Sequence, residues 1–398
     1  MCERTATTVE NGSTFKLSLL SIGHFFNDLY AAFLPTFVPT IISRLGITMA
    51  QAGLLNSVVG IMHILLQPLL GYVSDRTARS YLVMVGPILT CLGATFLPSS
   101  PTYGMALLFV GIWGIGSATF HPQGHGGVGH VVPQEKLTAS LAIFSVAGNI
   151  GVTVSPLFAV ALAKLVGIEK IPYVAIIPVL IVAFAIYRYM PVLSQEGIAF
   201  PKVEKGLFRS LASVFSIIYP VWAVSVARDA TSQGIRFFLP IRISAEGGDI
   251  SAVGTILFLV MLFSTLGMLI SGKLSDRFGK VRVLIFVLIA GPLLMIPAAF
   301  ISGGASILLY IIGTSVINSS MPITAAVAQE QVPNSRGMAS SIVMGLSWGL
   351  ANLLTGPLGK IGDIFGITST MLVIAALPLL ALPMFFKEIF REKKVANR

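Results

Sequence analysis

Twelve apolar runs, each long enough to cross a bilayer, leave this chain almost no sequence from which to build a water-facing surface. About 20 apolar residues span a hydrocarbon core of ~30 Å. Runs of that kind fall at 17–42, 50–72, 81–98, 104–122, 138–164, 171–190, 210–243, 251–272, 281–301, 305–325, 337–358 and 367–386. Charged residues make up 11% of the sequence, less than half of the roughly 25% usual in soluble domains. The expected fold is all-α and integral to the membrane. The segment before the first run is polar and carries no cleavage-site pattern, and the first run contains Asn27 and Asp28. That run is therefore expected to be retained rather than removed as a signal peptide.

Charge supplies an orientation. With the N-terminus inside, the basic clusters Arg76/Arg79, Lys202/Lys205/Arg209 and Lys273/Arg277/Lys280/Arg282, together with the basic tail after Phe386, all lie on the cytoplasmic side. Only Arg44, Lys164, Lys170, Arg242 and Lys360 lie outside. An excess of Lys and Arg in cytoplasmic loops is the usual bias, so both termini are expected in the cytoplasm of a cell (inner) membrane protein. The net charge of +10 reflects this bias and an attraction to anionic lipid headgroups, not nucleic-acid binding. Cys2 in the tail and Cys91 within a run give no disulfide framework.

The sequence repeats itself. Val132-Pro133 with Ala139-Ser140 recurs as Val332-Pro333 with Ala339-Ser340, Pro122 as Pro322, and Phe33-Leu34-Pro35 as Phe238-Leu239-Pro240. Residues 191–207 are polar and contain Pro191, Gly197 and Pro201. The expected organisation is an N-terminal six-helix bundle (1–190), a cytoplasmic linker (191–207) and a C-terminal six-helix bundle (208–398), with a substrate site between the bundles near the midplane.

A short loop motif sharpens the reading. Gly272-Lys273-Leu274-Ser275-Asp276-Arg277-Phe278-Gly279-Lys280 joins the eighth and ninth runs, and a degraded copy, Gly71-Tyr72-Val73-Ser74-Asp75-Arg76-Thr77-Ala78-Arg79, joins the second and third. The pair resembles the loop motif of the major facilitator superfamily (MFS), whose fold is twelve transmembrane helices in two pseudo-symmetric bundles. The resemblance implies conformational gating by Gly71, Asp75, Arg76, Gly272, Asp276, Arg277 and Gly279. Carboxylates there can cap helix N-termini while Arg76 and Arg277 pair across the bundle interface. The first copy has Ala78 where the second has Gly279.

Ionisable residues inside a span are costly and are functional candidates by default. His24, Asn27 and Asp28 share one face of the first span at helical spacing. Asp28 is the candidate proton carrier, and His24, one turn away, can share or relay the proton; an interhelical hydrogen-bond knot is the alternative. The seventh span carries Arg228, Asp229, Gln233 and Arg236. Aligning the Phe-Leu-Pro repeat sets His24 opposite Asp229 and Asp28 opposite Gln233. Pro220 and Gly234 are expected to break this run near Asp229. Either Asp229 pairs with Arg228 or Arg236 to neutralise both, or a surplus arginine attracts an anionic substrate. The fourth span ends in Phe120-His121-Pro122, with His121 a candidate gate, proton-access residue or cap, and a following loop adds His125 and His130. Histidines in a glycine-rich stretch without carboxylates are a weak metal signal, and no metal is expected. Asn56, His63, Gln67, Asn149, Asn318 and Asn352 are further cavity-lining candidates. Gly148-Asn149-Ile150-Gly151 with Ser155-Pro156 resembles the antiporter motif of drug exporters, with serine in place of the glycine before proline; helix packing explains it equally well.

His24-Phe25-Phe26-Asn27-Asp28 followed by Pro35, together with Gly114-Ile115-Gly116-Ser117-Ala118-Thr119-Phe120-His121-Pro122, is similar to the fosmidomycin resistance branch of MFS exporters. That resemblance implies proton-driven export of a small drug, a phosphonate anion in that branch, with the proton gradient in place of any cofactor. The fourth-span arginine of the wider drug exporters is Val110 here, so coupling would rest on Asp28, His24 or Asp229. The candidate substrate-binding residues are Asn27, Arg228, Gln233, Arg236, His121 and Asn149. Uptake symport of an organic anion uses the same architecture, and a non-transporting sensor is the reading from another class. Enzyme chemistry lacks a recurring Ser-His or paired-carboxylate arrangement. The expected partners are a small-molecule substrate, protons and lipid, with the chain acting as a monomer.

Overall fold

The computed structural model describes residues 2–74, 78–133, 136–193 and 207–384. Among the described residues, twelve helical spans are long and apolar enough to cross a membrane, from Ser13–Leu45 to Ile367–Met384. Their elements are α1 (Cys2–Asp28), α2 (Phe33–Leu45), α3 (Met49–Ser74), α4 (Tyr81–Phe96), α5 (Tyr103–Val131), α6 (Leu137–Val166), α7 (Ile171–Tyr189), α8 (Leu207–Ala245), α9 (Ile250–Phe278), α10 (Lys280–Phe300), α11 (Gly303–Asn318), α12 (Ser320–Gln331), α13 (Arg336–Ser340), α14 (Ser347–Leu353), α15 (Thr355–Phe365) and α16 (Ile367–Ala376). Outward-facing positions are apolar, as lipid requires: Phe184 is 67% exposed and Leu293 68%.

Proline explains where spans break. It lacks an N–H and its ring clashes with the carbonyl four residues back. The first span breaks at 29–32, four residues before Pro35 and its neighbours resume the helix; the tenth breaks at Ser319, before Pro322; the eleventh breaks at Leu354, before Pro357. Neighbours satisfy the groups set free. Ser155 Oγ accepts the Ala32 N–H at 3.1 Å, and Ser57 Oγ donates to the Asn352 and Leu353 carbonyls at 3.1 and 3.3 Å. The first break makes Asp28 the last residue of α1. The eleventh span also holds a π-helical turn, Ser341–Leu346, a feature common at functional sites.

Two expectations about helix continuity are corrected. The seventh span does not unwind at Pro220 or Gly234: α8 runs unbroken through both and through Pro240. A Cβ on Gly234 would meet Ile374 at 2.9 Å, so this glycine serves close packing against α16. The fourth span does not end at Pro122 either; α5 continues to Val131, and His125 and His130 lie on the helix rather than in a loop.

The chain divides into two compact units, Met1–Ile41 with Ile61–Lys202, and Ile42–Gly60 with Val203–Arg398. The first contains a core of Leu17, Leu20, Val83, Phe120, Phe144, Ile186 and Met190. Within it α4 and α5 approach closely, with Gly86 against Phe120 and Gly116 against Leu89, where added Cβ atoms would lie 2.8 Å away; small residues allow such backbone approach. The second unit is built on two clusters, one around Ile218, Val221 and Val343, the other around Val224, Leu284 and Leu288. In this unit the start of α3 lies against α14 and α15. Asp363 accepts the Met49 and Ala50 N–H groups at 2.8 and 3.0 Å, and Asn56 Nδ2 donates to Asn352 Oδ1 at 3.0 Å.

The two loop motifs fare differently. Asp75 and Arg76 lie outside the described residues, as do most of the proposed linker and the basic tail. Gly71 and Gly272 are helical, and nothing lies within 4 Å of a Cβ built on Gly272. Asp276 is in the last turn of α9 and does not cap α10. The N-cap there is Gly279, with no side-chain cap bond and a φ of 89°, a left-handed value suited to glycine. Arg277 lies over its neighbour Phe278, 5.3 Å from the ring centroid.

Candidate functional site

The first unit gathers four of the chain's five histidines around Asp28. Asp28 ends α1, where the free carbonyls of a helix C-terminus disfavour negative charge. Positive or proton-donating partners meet it there. His24 Nε2 lies 3.2 Å from Asp28 Oδ2, one turn back on α1, and His121 Nε2 on α5 lies 3.6 Å from Oδ1. Asn27 Nδ2 donates to Asp28 Oδ1 at 2.9 Å, and Thr90 Oγ1 on α4 donates to Asn27 Oδ1 at 3.0 Å. Asn27 is 1% exposed; its amide positions Asp28 and is not presented as a substrate contact.

Hydrogen bonding fixes the protons of this cluster. His24 Nδ1 lies 2.8 Å from the Phe144 carbonyl. A carbonyl only accepts, so Nδ1 carries a hydrogen. Nε2 then faces a carboxylate oxygen, and the contact is attractive only if a further proton sits between them. The side-chain nitrogen and oxygen atoms of His24, Asp28 and His121 all lie within 4.8 Å of one another. Phe144 stacks on His24 at 4.2 Å between centroids, and Phe120 lies at 5.5 Å. Gly148 completes the enclosure: a Cβ there would lie 2.5 Å from His24 Nε2. The glycines of the antiporter-like segment thus let α6 close on α1. Asn149 beside them is exposed and is not brought to the cluster. His63 on α3 bonds Gln67 at 2.9 Å and lies 6.4 Å from the His121 ring.

The second unit holds the other charged constellation, on α8. Arg228 is 2% exposed. It donates from Nε and Nη2 to the two oxygens of Asp229 at 2.8 and 2.9 Å, and from Nη1 to Thr324 Oγ1 on α12 at 2.9 Å. Nη2 also reaches the Val343 carbonyl in the π-helical turn at 3.5 Å. Arg236 donates from Nη2 to Gln233 Oε1 at 2.6 Å, and its buried Nε has no partner among the described residues. Asp229 is taken by Arg228, one of the pairings expected, and Gln233 by Arg236. Asn318 donates to Ser232 and Ser264 at 3.1 and 2.9 Å, an interhelical bond rather than an open site.

Twelve candidate spans carry a histidine–aspartate cluster in one unit and a buried Arg228–Asp229 ion pair in the other. The sequence profile of the Major Facilitator Superfamily matches residues 20–356 and 221–397. This chain belongs to that family and is an MFS secondary transporter. It is 28% identical over 393 residues to the uncharacterized MFS-type transporter YfnC of Bacillus subtilis (strain 168), covering 95% of this chain and 94% of the relative. It is 25% identical over 396 residues to the fosmidomycin resistance protein of Escherichia coli (strain K12), covering 98% and 96%. Among solved structures, an inward-facing, occupied bacterial homolog of the human lysosomal transporter Spinster shares the fold, with a TM-score of 0.77 at 16% identity, covering 94% of this chain and 96% of that one.

Proposed function

We propose that this protein is a proton-coupled antiporter that exports a small amphiphilic or anionic compound, fosmidomycin-like in character, by alternating access. In this reading it sits in the cell (inner) membrane with both termini cytoplasmic, and the six-span segments 1–190 and 208–398, joined by 191–207, form one monomeric transport unit. The observation that carries the proposal is the His24–Asp28 contact at 3.2 Å in the first span, which supports an exchangeable proton there. Arg236 supports an anionic substrate, because its guanidinium keeps an unpartnered buried nitrogen and bonds only an amide. The near full-length likeness to a fosmidomycin resistance protein supports the same chemistry. Asp229 serves as a second candidate acid, held by Arg228.

The test uses inside-out membrane vesicles with an acidified lumen, given fosmidomycin, other phosphonates, carboxylates or cationic drugs. Antiport predicts lumenal alkalinisation by the phosphonate class in the wild type and none in Asp28→Asn. No alkalinisation by any anion, or further acidification on substrate entry, rejects antiport; the latter favours uptake symport.

A further inference from the structure

We infer that His125 is a proton-transfer residue, the exposed end of an imidazole path that delivers protons to and from the His24–Asp28 pair. The inference rests on the proton-coupled reading above and assigns a route to it. Asp28 and His24 are enclosed differently. The Asp28 side chain retains 17% exposure, whereas that of His24 retains 6%. Phe144, Phe120 and the Gly148 position pack against His24, and Asp28, His121 and His125 lie beside it. A proton passed on from His24 has the imidazoles of His121 and His125 beside it.

His125 is the exposed imidazole of the group, one helical turn beyond His121 on α5. Its ring lies 5.8 Å from the His24 ring and 6.3 Å from the His121 ring, and its edge meets Phe144 at 5.0 Å. The titratable groups facing it are His121 on its own helix and His24 and Asp28 on α1; α6 presents Phe144. Its tautomer is set like that of His24. Nδ1 lies 3.0 Å from the His121 carbonyl, so Nδ1 carries a hydrogen and Nε2 is the exchanging nitrogen. Both rings therefore exchange through the same atom while anchored to backbone by the other. The gap between them is of a size that ring rotation or one bridging water spans. The step is a proton hop: Nε2 of His125 takes a proton from solvent, and Nε2 of His24 receives it as the proton held with Asp28 moves onto the carboxylate or onward.

The experiment compares wild type, His125→Ala and His125→Gln in weakly buffered inside-out vesicles. Fosmidomycin-driven lumenal alkalinisation measures proton-coupled transport, and exchange of labelled for unlabelled fosmidomycin at equal pH measures transport without net proton flow. Both variants should lower the ratio of coupled transport to exchange several-fold, and added imidazole should restore that ratio in His125→Ala by replacing the lost ring from solution. An unchanged ratio overturns the proposal, as does a lowered ratio that imidazole does not restore, because His125 would then act through packing. Absence of alkalinisation in the wild type with fosmidomycin and with every other anion of the panel overturns the antiport reading itself and the route with it.

Discussion

Arg228 closes its fork on Asp229, Nε to Oδ1 at 2.8 Å and Nη2 to Oδ2 at 2.9 Å, and this pairing leaves Arg236 to donate to the Gln233 amide oxygen rather than to that carboxylate. The two arginines consequently have different jobs. Arg228 is a buried strut from α8 to α12 and to the π-helical turn. Arg236 keeps donor capacity for something else.

Replacing them should separate stability from recognition. Removing one partner of a buried ion pair costs about 3–5 kcal/mol because the other charge is left uncompensated. Arg228→Ala should therefore lower the thermal unfolding midpoint of detergent-solubilised protein sharply. Arg236→Gln should leave that midpoint nearly unchanged. It should weaken anionic substrates by the worth of one hydrogen bond to a charged group, about 1.5–3 kcal/mol, and neutral ones far less. Equal loss for both substrate classes, measured by competition in transport, would assign Arg236 to packing.

The Asp28 cluster makes a sharper claim about pH. Asp28→Asn removes the proton acceptor while keeping a group able to bond Asn27 and His24. The variant should insert and fold, and substrate exchange should persist with a flat dependence on pH. Transport driven by a pH gradient should vanish. Retained gradient-driven transport would move the coupling role to Asp229, which the parallel Asp229→Asn variant would expose.

Much of the first site was legible because an ionisable residue in an apolar run is conspicuous, and the i, i+4 relation of His24 to Asp28 follows from helical spacing alone. The convergence of His121 and His125 was not legible. It depends on α5 continuing through Pro122 and lying beside α1, and a proline after an apolar run reads as a stop. The Arg228–Asp229 pair was one of two readings left open, since neighbours in sequence do not face each other on a helix; the length of the arginine side chain overcomes that. Asp363 gave no signal at all. Its role as the acceptor for the first N–H groups of α3 arises only when the eleventh span lies beside Met49. The requirement for Gly279, by contrast, was readable from the motif, and the loop supplies its reason in a φ of 89°.

Asp363 offers a test of that packing. Replacing an N-capping carboxylate costs about 0.5–2 kcal/mol. Asp363→Ala exposes two backbone donors at once, at Met49 and Ala50, and should fall at the upper end of that range. Asp363→Asn retains one acceptor and should fall lower. Thermal unfolding of the solubilised variants ranks them; identical midpoints for both variants and wild type would show that the caps are satisfied by water in solution.

Gly148 decides whether the enclosure around His24 matters for coupling or only for packing. A methyl group at this position would sit 2.5 Å from His24 Nε2, and the ring is held on its other faces by Phe144 and Phe120. The ring cannot retreat without breaking its bond to the Phe144 carbonyl, the bond that sets its tautomer. Gly148→Ala should thus disturb the nitrogen that faces Asp28 while leaving the charges of the cluster in place. The expected outcome is a loss of gradient-driven transport that exceeds the loss of exchange, with a second substitution, Phe144→Leu, recovering part of it by giving the ring room. If exchange and coupled transport fall together and Phe144→Leu recovers neither, the glycine serves α1–α6 packing alone, and the geometry of His24 is not what limits proton transfer.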